Sequence, residues 1–279
     1  MGATARIAEF VAKSRWEEFP QEAIAQAKRA IQDSIGVTLA GSVEPPARII
    51  QRIAEAEGGA PLCTLLGTRI RTGGVWAALA NGTAGHALDF DDTNFAMMGH
   101  PSVPVLSAAL AAGELALANG RALLHAFLLG FEVETALGEV VHPVQYERGF
   151  HATGTLGALG AAVAAAKLLE LDTAQTQHAL AIAASQASGL KENFGTMTKP
   201  LHAGHAARSG LLSALLARDG FTASATAIEG PQGYLKVLGS RTDDPTATLG
   251  RLGSPWKILS SGVAVKPYPS CACTHSIID

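Results

Sequence analysis

Apolar residues recur three and four positions apart along most of this chain. After Pro20, a residue suited to a helix start, Ala23, Ile24, Ala27, Ile31, Ile35 and Leu39 share one face. The spacing predicts a helix over 21–39, ended by Gly41. Pro45 and Pro46 open a second amphipathic helix through Ile49, Ile50, Ile53 and Ala54, which stops at Gly58 and Gly59. The run over 62–71, broken by Gly67-Thr68, predicts a small hairpin. Six further helices are predicted over 75–88, 103–118, 122–141, 153–169, 173–185 and 203–218. Beyond Gly220 the pattern weakens to a short helix over 230–238, a polar loop over 240–255, and short strands at 256–259 and 263–265. Lys266-Pro267-Tyr268-Pro269-Ser270 then leads into the first turns of another helix. The predicted fold class is mainly α, built helix on helix.

Composition says how those helices pack. The six central segments are rich in alanine and glycine and aromatics make up 5% of the chain, so the core is filled by many small contacts between closely spaced helix axes. With 279 residues, 48% of them apolar, the chain can bury one large core or two modest ones. The weakly charged run over 152–166 ends at Lys167 and is too short and too mild for a membrane span. Arg6, Glu9, Lys13 and Arg15 interrupt the first sixteen residues, which therefore lack the centre of a signal peptide. A net charge of −3, with the 21 basic residues dispersed, excludes a nucleic-acid partner. Three cysteines make no disulfide framework and suit a reducing cytoplasm, and Cys271-Ala272-Cys273 has no second pair to complete a zinc site.

The chemistry concentrates in three loops. Asp89-Phe90-Asp91-Asp92-Thr93 places three carboxylates in four positions behind an apolar helix, where the helix dipole disfavours them. Such a cluster is either a solvated acidic loop or a group that orients a base or shares a proton. His100 stands just before a helix, with Ser102 placed to cap it; that position offers N–H groups to an anion and favours the neutral form of an imidazole. His151 likewise precedes a helix start at Thr153-Gly154-Thr155, whereas His142 closes a helix, where a cation merely suits the dipole. In the stretch 193–205, Thr196, Thr198, Lys199, His202 and His205 are all donors, and Pro200 predicts an extended backbone at Lys199. These donors suit a carboxylate ligand, the alternative being an exposed basic loop. No phosphate-binding loop or nucleophile elbow competes.

At these residues the sequence resembles the MmgE/PrpD family, which includes 2-methylcitrate dehydratase, cis-aconitate decarboxylase and iminodisuccinate epimerase. The resemblance rests on Ala80-Asn81-Gly82-Thr83-Ala84-Gly85-His86-Ala87-Leu88-Asp89-Phe90-Asp91-Asp92-Thr93, on His100-Pro101-Ser102, on His151 with Gly154-Thr155-Leu156-Gly157, on Thr198-Lys199-Pro200-Leu201-His202-Ala203-Gly204, and on Lys266-Pro267-Tyr268-Pro269-Ser270-Cys271. It implies a large all-helical domain (1–255), the beginning of a small α/β lid domain (256–279), a homodimer, a site in the cleft between domains, and neither metal nor cofactor. In the decarboxylase branch the site residues that carry over are Asp89, Thr93, His100, His151 and Lys199, with one more residue between Thr93 and His100 than that branch has. The family continues past the Lys-Pro-Tyr-Pro motif to a lid tyrosine, so the chain is expected to represent about the first two thirds of a full enzyme.

The expected activity is that of a lyase or isomerase acting on a small di- or tricarboxylate by proton transfer next to a carboxylate. His100, His151, Lys199 and Asp89 are the expected catalytic residues, and Thr93, Thr198 and His202 the expected substrate contacts. The loop around Lys199 is closer to the decarboxylase and epimerase members than to the dehydratase. A reading from another class is a helical dimerisation or binding fragment without activity of its own.

Overall fold

Wherever the sequence strings small residues at helical spacing, the computed structural model has a buried helix; it describes residues 1–240, 242 and 245–279. Helices α1 (Ala3–Lys13), α2 (Gln21–Gly41) and α3 (Pro45–Glu57) precede a two-stranded antiparallel hairpin of β1 (Cys63–Thr64) and β2 (Arg71–Thr72), in which Cys63 faces Thr72. Then come α4 (Gly74–Gly85), α5 (Ser102–Ala116), α6 (Gly120–Val141), the single turn α7 (Val144–Glu147), α8 (Ala152–Leu168), α9 (Thr173–Gln186) and α10 (Thr198–Arg218). Four short helices follow: α11 (Tyr234–Leu238), α12 (Thr246–Leu249), α13 (Lys257–Ser260) and α14 (His275–Ile278). Of the polar loop expected over 240–255, Arg241, Asp243 and Asp244 lie outside the described residues. Among the described residues no helix is long and apolar enough to cross a membrane.

Helix α8 is the central rod. All fifteen residues from Ala152 to Ala166 are buried, because α5, α6, α9 and α10 surround it. Its small side chains make that possible, since each neighbour must approach to near backbone contact. The crossing of α4 and α10 is the closest in its consequences for the site. A Cβ on Gly82 would fall 2.7 Å from Gly204 Cα and 3.0 Å from Ala203 O, inside any normal contact distance. This crossing sets the distance between the loop after α4 and the start of α10. Gly204→Val is therefore expected to destabilise the protein by about 3 kcal/mol through overpacking. Urea unfolding measures it; an unchanged midpoint would refute the close-crossing account.

Four local expectations are corrected by the structure. Helix α10 begins at Thr198, not Ala203, and the backbone at Lys199 is helical rather than extended. Pro200 is the third residue of α10, where an N–H would lack an intrahelical partner anyway, so proline costs no hydrogen bond there. Ser102 does not cap from outside: it is the first residue of α5, and its hydroxyl and N–H both donate to Asp92. The apolar run 256–259 forms the helical turn α13 instead of a strand. Glu132 of α6 accepts the N–H groups of Gly253 (2.8 Å) and Lys257 (2.6 Å), and this buried carboxylate organises the turn. Of the second expected strand, Ala264 alone pairs, bridging antiparallel to Thr93. Helix α1, which the pattern reading passed over, buries Ile7, Ala8 and Val11.

Candidate active site

Helix α4 stops at Gly85, and His86 turns the chain into a loop that runs to His100. Asp89 adopts a left-handed conformation (φ 50°), tolerated by a short acidic side chain, and the turn sends the three clustered carboxylates in different directions. Asp92 points back to the start of α5, where it accepts from Ser102 N (3.2 Å) and Ser102 Oγ; burial pushes its carboxyl up to about 7. Asp91, fully buried, lies 2.9 Å from His86 Nδ1 and 3.3 Å from His100 Nδ1. Burial opposes its ionisation, yet His100 and His86 hold it well below the usual carboxylate range. The cluster is thus no solvated loop.

Asp89 faces the opposite way, toward two ammonium groups. Lys199, in the first turn of α10, pairs with its Oδ2. Lys266 Nζ donates to its Oδ1 (2.6 Å) and its backbone oxygen (2.7 Å), and Lys266 is only 5% exposed. Burial works against the charged form of Asp89, but His100, Lys199 and His86 overcome it and keep the carboxyl far below its ordinary range. His100 Nε2 lies 3.6 Å from Asp89 Oδ1, and the His100 backbone N–H is fixed by Thr153 Oγ1 at 3.0 Å.

His151 closes the site from the start of α8. Its backbone N–H donates to Gly189 O (2.9 Å), and its Nδ1 lies 3.0 Å from His202 Nδ1, so one proton serves both nitrogens. The ring faces His86 at an inclination of 27° with centroids 5.6 Å apart, and meets Phe194 edge-on with centroids 4.8 Å apart. Burial, reinforced by the neighbouring His86, His100 and His202, holds its pKa well below the ordinary imidazole value. His151 is therefore a neutral imidazole at physiological pH.

A cleft of about 240 Å³ brings these groups together. Asp89, Thr93, His100, His151 and Lys199 all line it, beside apolar walls from Phe95, Met98 and Phe194 and a further wall of Tyr146, Cys271 and Cys273. Thr198 is half-buried and does not reach the cleft wall, and His202 stands behind His151. His205 lies farther along α10, its Nε2 3.3 Å from Gln186 O. Two participants had no role assigned from sequence, although both sit inside quoted motifs: His86, and Lys266 of Lys-Pro-Tyr-Pro. A buried lysine is unreadable without its partner, and Asp89 lies 177 positions away.

Ligand atoms of His86, Asp89, Asp91 and His100 also come within 4.8 Å of one another, close enough to hold a metal ion. The carboxylate of Asp89 already carries two ammonium groups, so a metal would have to share it with Lys199 and Lys266, whose positive charges oppose a cation there. The donor set fits a lysine-neutralised carboxylate better than a cation site.

Residues 5–246 match the MmgE/PrpD N-terminal domain. The chain is 32% identical over 265 residues to cis-aconitate decarboxylase of Homo sapiens, covering 92% of this chain and 54% of that protein. The Mus musculus cis-aconitate decarboxylase gives 31% over 265 residues, with 92% and 53% covered. That of Aspergillus terreus gives 28% over 291 residues, with 100% and 59% covered. The chain spans little more than half the length of the curated relatives it matches.

Proposed function

This chain belongs to the MmgE/PrpD family, and on that premise we propose that it is a lyase whose substrate is a small unsaturated tricarboxylate of the cis-aconitate kind, from which it removes carbon dioxide. The observation that carries this reading is the meeting of one ammonium group and two imidazoles, Lys199, His100 and His151, in a single small cleft.

Loss of carbon dioxide breaks a carbon–carbon bond and leaves its electron pair on the remaining skeleton. Conjugation with the double bond moves that charge toward a neighbouring carboxylate, where a cation stabilises it most. Lys199 supplies the cation at the cleft, and Lys266 keeps Asp89 neutralised when Lys199 turns to a substrate carboxylate. A proton must then be added to carbon. His100, with a carboxylate oxygen beyond each ring nitrogen, suits the donor, and neutral His151 suits the group that accepts or relays a proton. Thr93 at the cleft wall serves substrate carboxylate binding, and His202 supports His151 from behind.

The reading also takes residues 256–279 as the beginning of a lid, a view supported by Lys266 reaching Asp89 from that segment, and it takes the working protein to be a homodimer. The test incubates the protein with cis-aconitate, 2-methylcitrate or iminodisuccinate in deuterated water. The expected result is carbon dioxide release from cis-aconitate alone, with one deuterium in the product. Dehydration of 2-methylcitrate or exchange into iminodisuccinate would move the protein to another branch. Neither turnover nor exchange with any of the three would overturn the enzymatic reading and leave a binding or dimerisation module.

A further inference from the structure

Behind the cleft lies a buried group that the proposed reaction does not use directly. Asp91 is 0% exposed and His86 1% exposed, and His86 Nδ1 sits 2.9 Å from each Asp91 oxygen. Since Asp91 is ionised and can only accept, His86 presents Nδ1–H to it, and burial lowers the His86 pKa to about 4, so that ring is neutral. Its Nε2 is then a bare lone pair; that atom is buried and has no hydrogen-bond partner. His86 therefore has no exit for a proton and cannot shuttle one. Its ring lies 4.4 Å from His100 and 5.6 Å from His151, wedged between the two imidazoles of the cleft.

The second face of Asp91 is turned to His100, whose Nδ1 lies 3.3 Å from Oδ1. That contact is not well directed and leaves Nδ1 formally unpartnered, a common state for a catalytic hydrogen bond without its ligand. Asp33, Asp89 and Asp92 are the nearby carboxyls: burial raises the pKa of Asp33 and of Asp92, Asp89 is paired with Lys199 and Lys266, and Asp91 is the carboxylate set against both His86 and His100. A buried carboxylate flanked by two imidazoles is an orienting device, and its effect is to choose which nitrogen of each ring holds the proton.

We propose that Asp91 and His86 are positioning residues for the lyase chemistry: Asp91 holds His100 with Nδ1–H toward itself, which makes Nε2 the nitrogen that transfers protons at the cleft, and His86 anchors Asp91. This rests on the reading of His100 as an acid–base group. The assignment explains why Nε2 rather than Nδ1 is the nitrogen near Asp89, the residue that lines the cleft. It also gives the fully buried Asp91 a task that a solvated acidic loop would not have.

Two variants and one spectrum test it. Asp91→Asn keeps the shape but removes the charge and turns an acceptor into a partial donor, and kcat is expected to fall by about a thousandfold with KM within about threefold, as when an orienting carboxylate is lost behind a catalytic histidine. His86→Phe keeps a flat ring between the same neighbours, slightly larger and without either ring nitrogen, so that Asp91 loses the Nδ1–H it accepts, and kcat is expected to fall by about tenfold to a hundredfold. In the wild-type protein with ¹⁵N-labelled histidine, the His100 Nδ1 resonance should be that of a protonated nitrogen, and in Asp91→Asn the tautomer should become mixed. Near-wild-type kcat in both folded variants, or an unprotonated Nδ1 at His100 in the wild type, overturns the proposal. The spectrum needs no substrate. If the wild type turns over none of the three acids, the lyase reading fails while the tautomer assignment is still decided. If Asp91→Asn does not fold, His86→Phe and the wild-type spectrum decide it.

Discussion

Lys199→Ala is expected to lower turnover about a thousandfold while leaving the fold intact, with cis-aconitate as substrate and the melting temperature as control. The size follows from the charge it stabilises: removing one preorganised donor or cation from a developing anion costs about two to three orders of magnitude in kcat. The fold is expected to survive because Lys199 sits in the first turn of α10, where the helix dipole already disfavours a cation. Asp89 keeps Lys266 as its partner in the variant, so no uncompensated carboxylate is created. Lys199→Arg should recover little, since a longer planar guanidinium does not reproduce a compact ammonium between Asp89 and the cleft. Turnover within about tenfold of wild type in Lys199→Ala would remove the lysine from the chemistry. A collapse of the melting temperature would instead make the Asp89 pair a structural tie.

His151→Ala is expected to lower turnover by about two to four orders of magnitude, the range for a lost proton-transfer group. Part of the effect is structural, because His202 Nδ1 would lose the nitrogen 3.0 Å away with which it shares a proton, at a cost of about 1–3 kcal/mol. His151→Gln separates the two contributions: its amide can hydrogen-bond to His202, restoring stability, but it cannot take up or release a proton at neutral pH. Activity should stay low in both variants, and stability should return in the second. The sign of the pH effect is also set. Burial holds the His151 pKa well below the ordinary imidazole value, so the ring is neutral around physiological pH and its titration adds no limb to the rate profile there. Recovery of activity in His151→Gln would show that its hydrogen bond, and not its proton, was the requirement.

How much of this was legible beforehand differs from element to element. The helix over 21–39 was readable because its periodicity and its proline and glycine punctuation agree; the observed α2, α5 and α6 differ from the expected 21–39, 103–118 and 122–141 by a few terminal residues. The run 256–259 was misread because four apolar residues carry no period, and the side chain that makes them a helical turn, Glu132, belongs to α6. The start of α10 was misread for a different reason. Pro200 signals extended backbone at Lys199 in isolation, but the first helical turn needs no N–H from it.

For the site, helix-start positions picked out His100 and His151, the donor-rich stretch 193–205 supplied Lys199, and the family resemblance added Asp89 and Thr93; all five line the cleft. Lys266 and His86 were invisible as participants, since their meaning lies in Asp89 and Asp91. By itself the sequence determined a mainly helical fold with small-residue crossings and the residue types able to move a proton near a carboxylate, because periodicity, glycine placement and side-chain chemistry are local properties. Only the tertiary structure decided that Asp89 is shared by two lysines, that Asp91 turns inward between two histidines, and that Asp92 is spent on the start of α5. Those are distances between segments as far as 177 positions apart, and one of them, from Lys199 to Asp89, follows from the crossing of α4 and α10 that Gly82 and Gly204 permit.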